Sequence, residues 1–371
     1  MKTIKTIYEN IGLPRLIIGL FFIFLIVASI ALGFSSAAIF SDVLRRWLMY
    51  GTLVLAMVPG IQSGIGLNFG VSLGISAGLL GSVLAMEISF VRDWPQVLGA
   101  GAPWATLLLA LLFGVVMAAF LGIVYGLLLN RVKGSEMTVS TYVGFSVIAF
   151  MNIVWLSLAF KNGELSWPLQ GQGLRNTASL AGSFGGLLSN PDTVKATQPP
   201  WLHWLAFKVG GVTVPLGLIL LFALLCFLVW LFFRSKLGIA MSGAGENELF
   251  TLSSGINVDQ KRIQGTAIST ILGAVGIILY AQTYGFLQLY NAPLMMGFAS
   301  VASILIGGAS VKRAKISHVL IGTLLFQGIL VTALPVVNEV IEIGTLPEVL
   351  RIIISNGIIL YALSKTKGGN V

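Results

Sequence analysis

Charge is what this chain has least of. Only 9% of its 371 residues are charged, against 56% hydrophobic. Soluble domains carry roughly 25% charged residues. A soluble fold of this length cannot hide so much apolar surface, so the bilayer must be the solvent for most of it. Cysteine is nearly absent. Cys226 stands alone, which excludes an internal disulfide and a thiolate metal cluster; it reads as core packing. Histidine occurs only at His203 and His318, and both read as interfacial residues. No Ser-His-Asp or paired-carboxylate arrangement is evident, so an enzyme is not expected and no cofactor is implied. No G-x-x-x-x-G-K-[ST] loop occurs, so the chain has no phosphate-binding loop of its own. Acidic residues are scarce within the apolar runs. Glu87 and Glu136 lie at span ends, and Glu339, Glu342 and Glu348 fall in or near the last outer connection. An ion-coupled carrier usually needs a carboxylate at mid-depth, and none is evident.

The basic surplus is real: 22 Lys and Arg against 13 Asp and Glu, a net charge of +9. In a membrane protein this reports Lys and Arg anchoring inner loops, and no nucleic-acid partner is expected. The apolar runs predict an all-α polytopic membrane protein of ten spans within a single domain, residues 1–371. They cover about Leu16–Ser36, Leu44–Gln62, Leu67–Phe90, Ala105–Leu129, Val139–Phe160, Val212–Phe233, Ile263–Tyr284, Leu294–Gly308, Ile316–Leu334 and Leu350–Ser364. The first run is too long for a signal-peptide core and is expected to stay as a helix. Ten spans put both termini on one side. With the N-terminus inside, 14 of the 22 basic residues fall on inner segments, so both termini are expected in the cytoplasm. Residues 161–208 then form a long extracytoplasmic segment. Trp167, Trp201 and Trp204 flank it, as expected at a membrane interface. It reads either as a folded-over loop or as a docking surface for an external partner.

Two places interrupt the spans. Pro59 to Gly70 holds four Gly and one Pro in twelve residues, which does not make a continuous helix. Gln282 to Pro293 separates the seventh and eighth spans. Backbone freed from a helix must be buried in protein or line a watery cavity. Two breaks five spans apart point to an inverted pseudo-repeat, whose interface commonly houses the solute path. Gln62, Ser63, Asn68, Gln282, Gln288, Tyr290 and Asn291 lie at these breaks. Each alone reads as satisfying freed backbone; together they read as lining for a neutral polar solute. Gly74, Gly78 and Gly81 permit close helix contact, within the bundle or at a dimer face.

Arg234 to Arg262 is a polar island between apolar spans. Its Glu246–Ser254 stretch, followed by Gly255, predicts a short capped helix. Leu249, Phe250 and Leu252 are odd in water: they pack on the bundle, or they fill a partner's groove. At these residues the chain resembles permease subunits of bacterial ABC importers of the ribose and simple-sugar type, relatives of the branched-chain amino-acid and nucleoside permeases. That family carries Gly-x-Asn, a turn or two of helix, then Ser-Gly-Ile. Here the residues are Gly245-Glu246-Asn247 and Ser254-Gly255-Ile256-Asn257-Val258. Ser63–Gly70 is similar to the family's Gly-Ile-Asp-Leu-Ser-x-Gly segment, and Ile304–Gly308 to its Val-Leu-Gly-Gly segment.

The resemblance implies a subunit of the bacterial inner membrane. Its implied partners are ATP-binding subunits, a second permease subunit, identical or homologous, and an extracytoplasmic substrate-binding protein, in contact with membrane lipid. It assigns the 234–262 loop to ATPase coupling through Gly245, Glu246, Asn247, Leu249, Phe250, Ser254, Gly255 and Ile256, and it favours a sugar as solute. Four features depart from the family. Gly66 stands where the family has an acid. Leu249 and Phe250 replace small residues. Lys312-Arg313-Ala314-Lys315 replaces a Gly-rich turn. The outer segment is long.

Overall fold

The computed structural model describes residues 13–166 and 173–340, together with Ile353 and Gly357. The main helices are α1 Leu13–Ala31, α2 Ser36–Leu55, α3 Met57–Gln62, α4 Val71–Val91, the short α5 Trp94–Leu98, α6 Ala102–Arg131 and α7 Glu136–Ser157. They continue as α8 Pro191–Thr197, α9 Leu216–Arg234, α10 Lys236–Glu246, α11 Glu248–Ser253, α12 Val258–Tyr284, α13 Ala292–Ile306 and α14 Ile316–Val340. Among the described residues, six segments are long and apolar enough to cross a membrane: Val71–Val91, Trp94–Arg131, Glu136–Ser157, Leu216–Arg234, Val258–Tyr284 and Ile316–Glu339. α1 and α13 are shorter apolar helices. α2 is long but carries Asp42, Arg45 and Arg46 near its middle. Each of the first nine expected spans therefore has a helix. The tenth, Leu350–Ser364, lies outside the described residues except for Ile353 and Gly357, and Trp167, Lys2 and Lys5 lie outside them as well.

The chain passes back and forth between two ends of the bundle. One end holds α10, α11 and residues 63–66, 132–135 and 307–315, and residues 67–70 dip back into the bundle, where Asn68 bonds Ser269 and Gly70 lies on Tyr125. The opposite end holds residues 92–101, 158–166, 173–215 and 285–291.

Helix α12 is the axis of this bundle, and small residues put it there. Lipid tails are as apolar as leucine, so helices in a membrane gain by close packing rather than by hiding apolar surface. A Cβ on Gly74 would stand 2.1 Å from the Thr270 carbonyl oxygen, and one on Gly78 would stand 2.6 Å from that of Ala274. From α6, Gly122 and Gly126 approach the backbone of Ala267 and Ile263 in the same way. α4 and α6 meet directly where Gly81 lies against Ala110 and Gly114. The three α4 glycines thus serve contacts within the chain.

Several expectations need correction. Pro59 and Gly60 are not in the break: they belong to α3, which follows α2 with a single-residue nick at Ala56. The break proper runs from Ser63 to Gly70. The sixth span starts at Leu216, because Phe207–Val209 and Val212–Val214 form an antiparallel hairpin around Gly210-Gly211. The second break is also strand: Phe286–Gln288 pairs antiparallel with Thr177–Ser179. The fold is all-α but for these two small ribbons. Glu87 has a structural task, its carboxylate accepting the backbone N–H groups of Lys161 and Asn162 at 2.9 and 3.0 Å.

Overpacking of a tight contact costs about 1–3 kcal/mol. Gly74→Ala should therefore lower the melting temperature of the detergent-purified protein by several degrees. Gly19→Ala has open space around its Cβ position and should leave it unchanged; equal melting of both would refute the packing assignment.

Candidate functional site

The polar island folds as two helices, not one. α10 runs from Lys236 to Glu246, capped by Ser235, whose Oγ accepts from the Gly238 N–H. The predicted helix is shortened to α11, Glu248–Ser253. Asn247 is the hinge between them. Its backbone N–H donates to the Gly243 carbonyl and so closes α10. Its side-chain Oδ1 accepts from the Phe250 N–H at 3.0 Å and so opens α11. The other end of α11 is sealed by Gly255 at φ +77°, in the left-handed region that favours glycine. The Gly255 N–H reaches the Leu252 carbonyl and the Ile256 N–H the Thr251 carbonyl, the 5→2 and 6→1 bonds of a Schellman turn. Asn257 then caps α12 by accepting from the Gln260 N–H. Ser254 donates to the Phe250 carbonyl.

With both ends fixed, the orientation of α11 is fixed as well. Thr251 is its buried residue and faces α10 near Gly243. Leu249, Phe250 and Leu252 are 80%, 68% and 49% exposed. Among the described residues, these three side chains do not pack into the bundle.

This end is tied to the first break. Gly245 lies against the Gln62–Gly64 turn, where a Cβ would stand 2.3 Å from the Gln62 carbonyl oxygen. Gly64, at φ +81°, returns the contact, its Cβ position 3.0 Å from the Gly245 Cα. The Gln62 side-chain amide donates to the Ala314 carbonyl at 2.6 Å. Glu246 pairs with Arg313 at 3.1 Å. The basic turn that departs from the family pattern thus holds both the break and the end of α10. Lys133 bridges Glu248 and Asp259 at 2.8 and 2.7 Å. The Asp259 and then the Glu248 carboxylate raise the Lys133 pKa above the ordinary lysine value, so the Lys133 ammonium stays charged throughout the neutral range. Arg262, buried, pairs with Glu136 and donates to Asn130.

The seven polar residues at the breaks do not form one cluster. Ser63 packs on Gly265; Asn68 donates to Ser269 at 3.0 Å. Gln282 lies 13 residues further along α12, about 20 Å away at 1.5 Å per residue. Its carbonyl accepts from the Gly186 N–H. Gln288 pairs with Thr177 in the ribbon, Tyr290 donates to the Leu174 carbonyl, and Asn291 is exposed beside them. Ser63, Asn68 and Gln282 are buried with internal partners.

Sequence reasoning missed Tyr125 and Ser269. Tyr125 donates to Asn68 Oδ1, and Ser269 donates to the Ala56 carbonyl at the α2–α3 nick. The spacing Gly265, Ser269, Gly273, one residue per turn on a single face of α12, was the available signal. Among the described residues no group of His, Cys, Asp and Glu could hold a metal ion.

The family model for the branched-chain amino acid transport system / permease component matches residues 16–363, and the chain belongs to that family. The chain is similar to the nucleoside ABC transporter permease protein NupB of Lactococcus lactis, 22% identical over 248 residues, covering 66% of this chain and 60% of that protein. It is also similar to the tyrosine transport system permease protein of Clostridioides difficile, 30% identical over 153 residues, or 37% of this chain and 51% of that one. A second Lactococcus lactis nucleoside permease protein, NupC, is 28% identical over 114 residues, or 30% and 36% of the two chains. The chain thus spans about 60% or less of the length of these curated relatives. No solved structure gives a significant match.

Loss of an N-cap costs about 1 kcal/mol, a roughly fivefold change in a local opening equilibrium. Asn247→Ala should speed amide exchange in α11 by about that factor, read by hydrogen exchange of the purified protein. Unchanged exchange at residues 249–253 would show that the cap does not hold the helix.

Proposed function

We propose that this family member is the membrane-spanning subunit of an ATP-binding cassette importer, with ATP hydrolysis supplied by partner subunits. The observation that carries the reading is the exposed Leu249–Phe250–Leu252 ridge on a helix capped at both ends. Such a ridge is costly in water and fits a groove on another protein. The end bearing α10 and α11 faces the cytoplasm in this reading, and both termini lie there. Partner ATPases grip α11. Their closure moves α10, and the Gly245–Gly64 contact carries the movement into the broken second span. A second permease subunit completes the path, and an extracytoplasmic binding protein delivers solute at the opposite end.

The solute is read as a small neutral molecule bearing hydroxyl groups, a sugar by the motif resemblance. A nucleoside is the second reading, favoured by the two Lactococcus lactis relatives. The rival class, an ion-driven carrier working alone, predicts flux by the purified chain under an ion gradient without any ATPase.

Phe250→Asp puts a charge into the grip. It should abolish co-purification of the ATP-binding subunits and cut ATP-driven uptake in the reconstituted complex at least tenfold, while the melting temperature stays put because the residue is exposed. Wild-type coupling in Phe250→Asp and in Gly255→Val together would sink the proposal, as would recovery of the native complex without a nucleotide-binding subunit.

A further inference from the structure

Helix α1 lays one stripe against α14. Ile18, Phe22 and Leu25 are buried along it, at the three- and four-residue spacing of a helix face. One turn before Ile18 the same stripe carries Arg15, which is half-buried. Apolar packing asks for another leucine there. The guanidinium instead lies on the turn that joins α13 to α14. A Cβ at Gly308, where φ is +93°, would take its place.

Two further groups stand beside it. Lys315, exposed, immediately precedes α14, and His318 lies in the first turn of that helix, within electrostatic reach of both Lys315 and Arg15. The His318 Nδ1 is enclosed and has no hydrogen-bond partner. An enclosed N–H without an acceptor is costly, so the neutral ring carries its proton on Nε2 and offers that as a donor. None of these three side chains has a hydrogen-bond or ion-pair partner among the described residues. The basic side chains buried elsewhere at this end are matched: Arg262 pairs with Glu136, and Lys261 donates to Gln264. Glu246, the acid closest along this side, is taken by Arg313.

Two cations and an imidazole donor held together at the rim of a membrane bundle, with no acid among them, call for an anion. The surroundings say which kind. Within the next two turns both helices expose apolar side chains, Leu20 and Ile23 on α1 and Ile321 on α14. A charged corner at the foot of an apolar flank matches the order of groups in a phospholipid, phosphate first and hydrocarbon after it. A free phosphate or an acidic peptide uses only the corner.

We propose that the Arg15–Lys315–His318 corner binds the phosphate of an anionic phospholipid whose chains lie along α1 and α14. Arginine forks two phosphate oxygens, and basic pockets between membrane helices take anionic headgroups in this way. The importer reading supplies only the leaflet, the cytoplasmic one; the lipid contact needs no ATPase. The same turn holds the Ala314 carbonyl that Gln62 reaches and the Arg313 that pairs with Glu246. An occupied corner therefore steadies the turn that positions α10.

The test is native mass spectrometry of the full chain released from micelles holding equal amounts of phosphatidylglycerol and phosphatidylcholine. The wild type should retain the anionic lipid in clear preference. Lys315→Gln should lower that preference about fivefold, the weight of one basic residue beside an anionic membrane. Lys315 is exposed, so this variant should melt like the wild type in phosphatidylcholine. Arg15→Gln should lower the preference further. Arg234→Gln combined with Lys236→Gln removes two charges from the same end, where Arg234 lies over Trp230 at 4.0 Å, and should change nothing. Equal loss in that control would overturn the site, since it marks diffuse attraction to a basic surface. No preference in the wild type would overturn it too. Displacement of the lipid by excess inorganic phosphate would make the corner a free-anion site. An unchanged preference in Lys315→Gln, with capture of ATP-binding subunits lost, would make it a protein contact. The lipid measurement uses the chain alone, so it stands or falls apart from the ATPase capture.

Discussion

The contact between Gly245 and the Gln62–Gly64 turn is the joint on which the rest of the arrangement depends. It is backbone against backbone, with no side chain between the two segments. A side chain at such a place would add rotamer freedom and absorb displacement. Here nothing lies between to absorb it. The segment on the receiving side, Ser63–Gly70, is irregular, so it can change shape without breaking a helix. It is nevertheless held: Asn68 is bonded to Ser269 on the axial helix and to Tyr125, and Gln62 to the Ala314 carbonyl. In the proposed importer, movement of α10 would have a defined route into the bundle, through a part of the chain that the bilayer requires to be buried in protein or to line water.

The same physics explains which parts were legible in the sequence. A run of some twenty apolar residues is the strongest signal a chain can carry, and nine helices stand where such runs were read. The Val212–Val214 strand was absorbed into the sixth span because it is apolar. Yet Gly210-Gly211 between β-branched residues is a two-residue hairpin signal, and both glycines have positive φ. Helix α10 was missed because three of its eleven residues are glycine, which lowers helix propensity. Those glycines serve packing: Gly238 lies on the Phe232 backbone and Gly245 on Gln62. The caps of α11 were legible because Asn and Gly at helix ends have local causes. The grouping of seven polar residues into one site was not, because residue type says nothing about which end of a helix a residue occupies. The direction of the spans carried that information. Gln62 and Gln282 stand far apart along the bundle, although the edges of the two breaks meet where Ser72 donates to the Pro293 carbonyl at 2.8 Å.

The polar groups Asn68, Ser269, Tyr125 and Gln282 are buried and satisfied, so they specify how the helices meet. An Asn on a membrane helix looks the same in the sequence whether it is buried or open; burial is what the structure adds.

The departures from the family pattern at the other end belong together. Arg313, in the basic turn, pairs with Glu246, one residue before the hinge Asn247; Leu249 and Phe250 project from the helix that the hinge begins. An exposed ion pair contributes little stability, about 0–1 kcal/mol, so its use here is geometric. It fixes the end of α10, and with it the direction in which the Leu249–Phe250 ridge points. A bulkier ridge needs a differently shaped groove and a fixed angle of entry. The basic turn supplies that angle. In the importer reading proposed above, a partner that accepts one departure would have to accept the other, and transplanting the ridge into a relative without Arg313 would leave it wrongly aimed.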